Sequence, residues 1–282
     1  MIANPDKPLC RDLVRQAARS ITTAGDTVLT EQATAALAGI KAQILPDIAS
    51  LSRAADLLMV FGGDGTMLRV AHEIAGATTP ILGINAGALG FLTDVPAHQL
   101  RTALKQIRDG QARLESRPLI EARVRADGQT ATFKALNDFV IARSATARLI
   151  ELEVSVDDEV LTRYRGDGLI VASPTGSTAY SLAAGGAIVS PSADVFALTP
   201  ICPHTLSNRS VIVSLHSTVR VRPMNDRVET ILTADGQQSV PLGAGHVVTI
   251  RRSSHSMRLL HLAGSSFFET LRLKLHWSGS NV

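Results

Sequence analysis

The stretch VFGGDGTMLR, residues 60–69, places one aspartate among three glycines directly after an apolar run. Glycine lets the main chain adopt positive φ angles and lets a bulky partner approach the backbone closely. The apolar run that ends at Phe61 predicts a strand, and the residues from Asp64 onward predict a helix. The glycines therefore fall at the carboxyl edge of a predicted parallel sheet, where α/β folds bind ligands.

The same alternation of strands and helices extends over the N-terminal part of the chain. The predicted order is a helix over 8–21, a short strand at 26–29, a helix from 31, strand 56–61, a helix from 64, strand 80–84 and a helix over 97–108. Alternating elements of this kind predict a parallel sheet covered by helices. The sequence before the first helix predicts a first strand that is either short or clipped at its start.

The pattern changes near residue 115. From there, short apolar runs alternate with hairpin signals such as ADGQ (126–129) and DDEV (157–160), which predicts antiparallel sheets stacked as a sandwich. The last apolar stretch, 265–277, predicts a helix with Ser266 and Glu269 at capping-box spacing. The sequence thus predicts an α/β domain with a parallel sheet (1–115), a mostly β, sandwich-like domain (116–262) and a C-terminal helix (263–282) that packs on the first domain.

Composition favours a globular protein and excludes several classes. The chain has 282 residues, 45% of them hydrophobic and 19% charged, which suffices for a large core. A net charge of +3 without any basic run predicts no binding to nucleic acid. The uncharged stretches 74–93 and 168–193 contain too much glycine and proline for membrane spans. Cys10 and Cys202 resemble free thiols of a reducing compartment, so we expect a cytoplasmic protein that does not contact a membrane.

Two common phosphate-binding motifs are absent. No Gly-Lys dipeptide occurs, which excludes a P-loop, and Leu68 stands where the dinucleotide fingerprint needs its third glycine. A carboxylate near phosphates is repulsive unless it takes a proton or holds a divalent cation. Alternatively, Asp64 simply caps the helix that follows it. A second Gly-Asp-Gly triplet, with Asp167 at its centre, opens another glycine-rich segment. This repetition argues against the interpretation of Asp64 as a simple helix cap.

Six motifs occur in an order that resembles a known family. They are FGGDGTMLR (61–69), GINAGALGFLTD (83–94), LNDFVIAR (136–143), GDGLIVASPTGSTAYSLAAGG (166–186), PHTLSNRS (203–210) and DGQ (235–237). Together they resemble the ATP-dependent or polyphosphate-dependent NAD kinases. GGDG alone is also found in diacylglycerol kinases and sphingosine kinases and, loosely, in phosphofructokinases. The combination with the asparagine-acid pair and PTGSTAYSLAAGG is specific to the family.

The resemblance implies a role for each matching residue. Asp64 is expected to be the general base that takes the proton from the 2′-hydroxyl of the adenosine ribose of NAD, with Gly65 contacting the nucleotide. Asn137 and Asp138 are expected to hold the adenosine and its ribose hydroxyls, and Asp167 to lie near the nicotinamide amide. The other expected dinucleotide contacts are Arg148, Arg165, Thr178, Ala179, Tyr180, Ser181, Leu182, Ala183 and Gln237.

The resemblance also implies the reaction partners. ATP, or polyphosphate, is the expected donor, together with a divalent ion, usually Mg²⁺, for which we predict no dedicated protein ligands. Family members are usually homodimers or homotetramers whose NAD site borrows residues from a neighbouring subunit. Two positions depart from the family pattern: Ala86 replaces a common arginine and Ala183 a common serine. We expect these departures to affect donor preference and affinity rather than the role of Asp64.

Other interpretations of these residues stay open at the level of sequence. Asn137 and Asp138 also fit a turn or bulge, Arg148 and Arg165 fit solvated surface charges, and Tyr180 fits a core aromatic. Two other functions are a lipid or sugar kinase that shares only GGDG and a non-catalytic NAD(P)-binding protein.

Overall fold

The computed structural model describes residues 1–93, 95–126, 129–144, 148–205, 207–224 and 229–277. The chain forms two compact units, the first of Met1–Ser116 with Met257–Val282 and the second of Arg117–Ser256. The strands are β1 (Ile2–Ala3), β2 (Leu29–Glu31), β3 (Gln43–Leu45), β4 (Leu58–Gly62), β5 (Ile81–Asn85), β6 (Val95–Pro96), β7 (Ala112–Ala126), β8 (Gln129–Ala135), β9 (Asp138–Arg143), β10 (Ile150–Val156), β11 (Glu159–Gly166), β12 (Gly168–Ala172), β13 (Val195–Ile201), β14 (Val211–Ser214), β15 (Val219–Pro223), β16 (Thr230–Ala234), β17 (Gln238–Leu242) and β18 (Val247–Leu262). The α-helices are α1 (Pro8–Thr23), α2 (Gln32–Ala38), α3 (Ile48–Ala54), α4 (Asp64–Glu73), α5 (Leu100–Arg108), α6 (Tyr180–Ala183) and α7 (Phe267–Leu275), with 3₁₀ turns at Ala97–Gln99 and Thr175–Thr178.

The first unit is built on a parallel sheet. Strand β4 pairs in parallel with β1 on one side and β5 on the other. The end of β18 joins β5 in parallel through Leu259 and Ile81. Helices α1 and α5 cover this sheet with apolar faces that include Val14, Ala17 and Leu100, all fully buried. This arrangement confirms the predicted α/β fold and its short first strand.

Three elements of the first unit were not predicted: β3, α3 and β6. Strand β3 pairs with β2 in a separate two-stranded sheet, helix α3 has seven residues, and the two-residue β6 pairs with the end of β5. Asp47 marks the start of α3 because its carboxylate accepts the N–H of Ser50 at 2.6 Å. The strand predicted at 26–29 begins later, at Leu29.

The predicted capping box at α7 is wrong. Ser266 occupies the N-cap position of the helix, but its side chain caps no N–H of the residues described here. The helix itself lies in the first unit, where the ring of Phe267 packs 6.1 Å from that of Phe91, centroid to centroid. Packing of apolar side chains, rather than a polar cap, therefore holds this helix.

The second unit consists of two antiparallel layers, as predicted for a sandwich-like domain. One layer has the strand order β14-β13-β12-β9-β16-β17. In the other, β10 lies between β11 and β15, and β15 pairs with the start of β18. Their inner faces share one core, which includes Phe139 and Phe196 from the first layer and Val154 and Val221 from the second. Burial of such side chains contributes roughly 1.5–3 kcal/mol each relative to exposure.

Two strand pairs in this unit form hairpins at the predicted places. Strands β10 and β11 are joined by Asp157 and Asp158, whose φ angles of 49° and 70° suit a two-residue hairpin turn. Strands β7 and β8 also pair as a hairpin, with Ala126 opposite Gln129. The predicted turn residues 127–128 lie outside the described residues.

Candidate active site

Asp64 is the first residue of α4, and Gly63 occupies the N-cap. The Asp64 carboxylate accepts the N–H groups of Phe91 at 2.8 Å, Leu92 at 3.0 Å and Thr93 at 3.3 Å, and the Thr93 hydroxyl donates to it at 3.3 Å. Its bonds within the described chain thus go to a loop 27 to 29 residues away and not to its own helix. The interpretation of Asp64 as a simple helix cap is therefore wrong.

Gly90 makes room for this contact. A Cβ at Gly90 would lie 2.0 Å from Oδ1 of Asp64 and 2.5 Å from Oγ1 of Thr93, distances that no side chain tolerates. Asn85 shapes the same loop, because its side chain donates to the carbonyl of Ala88 at 2.7 Å and accepts the N–H of Gly87 at 2.7 Å. The loop after β5 is thus folded around two polar side chains.

Gly65 lies on the open side of Asp64. It is exposed, and apart from its chain neighbours and the backbone of its own helix, no atom of the described ranges lies within 4 Å of the position that a Cβ would take there. Gly62 differs, because a Cβ at that position would lie 2.3 Å from Oγ1 of Thr66. The glycines therefore serve two purposes: Gly62 permits close packing of α4, and Gly65 leaves space beside the carboxylate.

Helix α7 supports the loop that holds Asp64. The ammonium of Lys274 donates to the carbonyl of Leu89 at 2.6 Å and lies 4.8 Å from the centroid of the Phe91 ring. Phe267 packs against the same ring. The loop that positions the Asp64 carboxylate is therefore itself supported by α7.

In the second unit, Asp235 organises the segment with Asn137 and Asp138. Its carboxylate accepts the N–H groups of Leu136 and Asn137, both at 2.8 Å, and of Asp138 at 3.0 Å. Asp235 and Gly236 adopt φ angles of 49° and 66° in the turn between β16 and β17. Sequence reasoning missed this role of Asp235, although the residue lies in the quoted DGQ motif.

The Asn137 backbone is also fixed from the other side. Its carbonyl accepts the N–H of Ser173 at 2.8 Å, and a Cβ at Gly176 would lie only 2.1 Å from that oxygen. Asn137 lies in the bend before β9, and Asp138 begins that strand. The pair is therefore neither a hairpin turn nor a bulge but a segment held between two neighbouring loops.

Asp138 has an altered acidity. Its side chain is only 5% exposed, and burial together with the nearby carboxylate of Asp235 raises the pKa of Asp138 to about 7. Desolvation disfavours a charged carboxylate, and a neighbouring negative charge adds to the effect. Asp138 consequently exchanges its proton near neutral pH.

The segment Thr178–Ala183 follows Gly176 and reaches α6. Tyr180 is 48% exposed, so the interpretation as a core aromatic is wrong. Ser181 is buried, and its hydroxyl lies 2.9 Å from that of Thr199. Ala179 and Leu182 are half-buried and Ala183 is exposed. Tyr180 therefore offers a free aromatic face, whereas Ser181 fixes the segment to β13.

Asp167, Arg165 and Arg148 lie at the other end of the second unit. Asp167 separates β11 from β12 and pairs with Arg143, whose Nε donates at 2.7 Å. Arg165 is exposed near the end of β11, and exposed Arg148 precedes Ile150, which pairs with Gly166. Arg143 is a second residue that sequence reasoning missed.

The register of β9 and β12 separates the predicted site residues into two sets. Asp138 pairs with Ala172 at one end, and Ala142 pairs with Gly168 at the other. Five residues at about 3.4 Å each place about 17 Å between Asp138 and Arg143. The first set contains Asn137, Asp138, Thr178–Ala183 and the exposed Gln237 of the β16–β17 turn. The second set contains Asp167, Arg165 and Arg148.

Comparison with models of protein families identifies the family of this chain. A model of the ATP-NAD kinase N-terminal domain matches residues 1–112, and one of the ATP-NAD kinase C-terminal domain matches residues 136–262. The chain belongs to the NAD kinase family. Both halves match, which favours an NAD kinase over a lipid or sugar kinase that shares GGDG alone.

Similar NAD kinases cover nearly the whole chain. An NAD kinase from Syntrophotalea carbinolica is 45% identical over 232 residues, which cover 82% of this chain and 81% of that protein. One from Symbiobacterium thermophilum is 41% identical over 280 residues, covering 98% and 97%.

Solved structures of the family share the fold. Yeast NADH kinase complexed with NADH aligns with a TM-score of 0.89 and 25% identity, covering 99% of this chain and 87% of that one. An NAD kinase from Archaeoglobus fulgidus in complex with ATP aligns with a TM-score of 0.73 and 26% identity, covering 94% and 95%.

Three further observations concern this member of the NAD kinase family. Across the described ranges, no three His, Cys, Asp or Glu side chains cluster closely enough to hold a metal ion. No helix in the described part of the chain combines the length and the apolar character needed to cross a bilayer. Ala86, one of the two expected departures from the family pattern, is 6% exposed and part of the first unit's core.

Proposed function

We propose that the chain transfers the terminal phosphoryl group of ATP to the 2′-hydroxyl of the adenosine ribose of NAD, and that Asp64 is the general base. The observation that carries this proposal is the Asp64 carboxylate, fixed by four hydrogen bonds beside the open backbone of Gly65. The yeast and archaeal relatives were solved with NADH and with ATP, which supports both substrates.

The residues at Asp64 suit proton transfer in a phosphoryl transfer reaction. Such reactions depend mainly on positioning and on neutralising the phosphate charge. A base that is held in place by the loop N–H groups meets the ribose hydroxyl without first reorganising. Such a base contributes roughly 10²- to 10⁴-fold in rate, or about 2.7–5.4 kcal/mol of barrier.

We further propose that Mg²⁺ arrives with the phosphates of ATP. Mg²⁺ binds phosphate oxygens, water and one or two carboxylates in octahedral geometry, and it neutralises charge on the transferred group. Asp64 is the carboxylate at this edge whose position suits such an ion. Its oxygens already accept N–H groups, so substrate oxygens and water would supply most of the ligands.

The first set in the second unit is proposed to hold the adenosine of NAD. Asp138 can accept hydrogen bonds from ribose hydroxyls, and the amide of Asn137 can both donate and accept. The exposed ring of Tyr180 offers a surface for stacking. Bound hydroxyls favour the charged carboxylate of Asp138, so NAD affinity should increase as pH rises through about 7.

We propose that the two sets meet across a subunit interface in a homodimer or homotetramer. Asp138 and Asp167 lie at opposite ends of one sheet, which supports a site assembled from the first set of one subunit and the second set of a neighbour. In a symmetric dimer such an interface forms two equivalent sites. Reduced cytoplasm is the proposed compartment, since Cys10 and Cys202 are unpaired.

Complementation tests the shared site. We expect Asp138→Ala and Asp167→Ala each to lose most activity, and a refolded equal mixture to recover about a quarter of the wild-type value, because half the dimers then carry one intact site. No recovery in a mixture that forms mixed dimers would contradict the shared site.

A direct assay tests the activity. The purified protein is incubated with NAD, ATP and Mg²⁺, and NADP is measured; polyphosphate and NADH are then substituted in turn. Asp64→Asn should keep NAD affinity but lose roughly 10²- to 10⁴-fold in kcat, while Asp109→Asn, an exposed acid, should behave as wild type. Tight NAD binding without NADP formation would instead identify a binding protein, and near-normal turnover of Asp64→Asn would exclude the base role.

A further inference from the structure

Lys7 lies in the loop between β1 and α1, and its ammonium rests on two glycines from other loops. A Cβ at Gly63 would lie 3.0 Å from Nζ of Lys7, and a Cβ at Gly87 would lie 3.1 Å from the same atom. Gly63 precedes α4 and Gly87 follows β5. The end of one side chain therefore lies close to both glycine-rich loops.

Backbone conformation does not explain these two glycines. Gly63 has φ −138° and ψ −173°, an extended conformation open to any residue, and Gly87 is also outside the left-handed region. A Cβ at either position would require the Lys7 ammonium to shift by a few tenths of an ångström, so glycine at both positions leaves that ammonium where it is.

The surroundings of Lys7 suit an anion. Strands β1, β4 and β5 are parallel neighbours, so the loops that follow them leave the same edge of the sheet. Helices α1 and α4 begin at Pro8 and Asp64 in these loops, and the N-terminus of a helix carries a partial positive charge. Within the described ranges, the half-buried Lys7 ammonium makes no ion pair or hydrogen bond.

The Asp64 carboxylate accepts the N–H groups of residues 91–93 and the Thr93 hydroxyl, and it forms no ion pair with Lys7. A lysine ammonium close to glycine loops, with no ion pair or hydrogen bond to the part of the chain that the structure describes, suits phosphate binding as a point charge.

We propose that Lys7 binds the terminal phosphates of the phosphoryl donor. This inference rests on the proposed kinase function and adds a named contact for the donor. Lys7 contacts phosphate oxygens and neutralises their charge, while the ribose proton still goes to Asp64. Because the ammonium sits between two backbones, the larger planar guanidinium of arginine would replace it only in part.

The test uses inorganic tripolyphosphate as a probe that contains phosphates without a nucleoside. Calorimetric titration compares the wild type with Lys7→Gln, with Lys7→Arg and with the exposed control Lys41→Gln. Loss of a charge-assisted contact should weaken tripolyphosphate binding about ten- to a hundredfold in Lys7→Gln. Lys7→Arg should lie between Lys7→Gln and wild type, and Lys41→Gln should match wild type. NAD affinity should remain within about twofold in every variant, and the KM for ATP should rise in Lys7→Gln.

The outcomes separate this inference from the proposed function. Equal tripolyphosphate affinity in wild type and Lys7→Gln, or no binding by wild type, overturns the role of Lys7 even if NADP forms. Lys7-dependent binding in a protein that makes no NADP supports the phosphate contact and rejects the kinase function. Should Lys7→Gln unfold, Lys7→Met keeps a side chain of similar length without the charge; tripolyphosphate affinity equal to wild type in that variant would count against the proposal.

Discussion

The glycine at position 90 offers a sharp test of how Asp64 is positioned. In Gly90→Ala, the new Cβ would start 2.0 Å from Oδ1 of Asp64, whereas ordinary contact begins at 3.4 Å. The carboxylate must therefore move by about 1 Å or more, and a displacement of about 1 Å at a reacting group costs about 10²-fold in rate. We expect kcat to fall about 100-fold, equivalent to about 2.7 kcal/mol of barrier. Gly90 lacks a positive φ, so alanine is compatible with its backbone.

Steady-state kinetics of Gly90→Ala measure the loss in kcat, and thermal unfolding shows whether the variant remains folded. NAD affinity should change little, since the displaced carboxylate acts on the proton rather than holding the dinucleotide. Gly243→Ala is the matched control, because its Cβ would meet its nearest neighbour, the His246 ring, at an ordinary 3.6 Å. If Gly90→Ala keeps kcat within about threefold of wild type and remains folded, Asp64 does not depend on this geometry.

Three further substitutions test the other contacts. Asp235→Ala leaves the N–H groups of residues 136–138 without their acceptor. We expect the free energy of unfolding, measured in urea, to fall by about 3 kcal/mol and the KM for NAD to rise. Asp194→Ala is the surface control. The pKa of Asp138 is raised from 3.8 to about 7 in the folded protein. The unfolding free energy of the wild type, relative to that of Asp138→Asn, should therefore fall by at most about 1.4 kcal/mol per pH unit between about pH 4 and pH 7, and stay level above pH 7. A difference that does not change with pH contradicts this. Lys274→Ala removes the contacts to Leu89 and Phe91. It should lower kcat several-fold and the free energy of unfolding by about 1 kcal/mol. Equal effects in Arg272→Ala would argue against specific support of the loop by Lys274.

The sequence predicted the fold class and the neighbourhood of Asp64 because both depend on local patterns. Apolar runs of strand length and glycines at the strand ends placed Asp64 at the carboxyl edge of a parallel sheet. Helix α3 escaped prediction because it is short, with Asp47 as its main local signal. Ser266 shows the converse, since a correct capping-box spacing produced no capping bond.

The contacts that organise the site could not be predicted, since they join residues far apart in the chain. Asp235 binds N–H groups 97 to 99 residues away, and a side chain that accepts backbone donors leaves no pattern in the partner's sequence. The pairing of Arg143 with Asp167 depends likewise on the strand register. That register also separates the two sets of predicted site residues, which a linear motif list presents as one group.

The division of the chain has a consequence for biosynthesis. The first unit combines residues 1–116 with 257–282, so its parallel sheet lacks the end of β18 until these later residues have left the ribosome. Domains generally fold as units while translation proceeds from the N-terminus. The second unit, Arg117–Ser256, is continuous and can complete its hydrogen bonding first. In nascent chains the second unit should therefore become resistant to proteases before the glycine-rich loops do. The first unit, which contains Asp64, can be completed only after residues 257–262 have emerged.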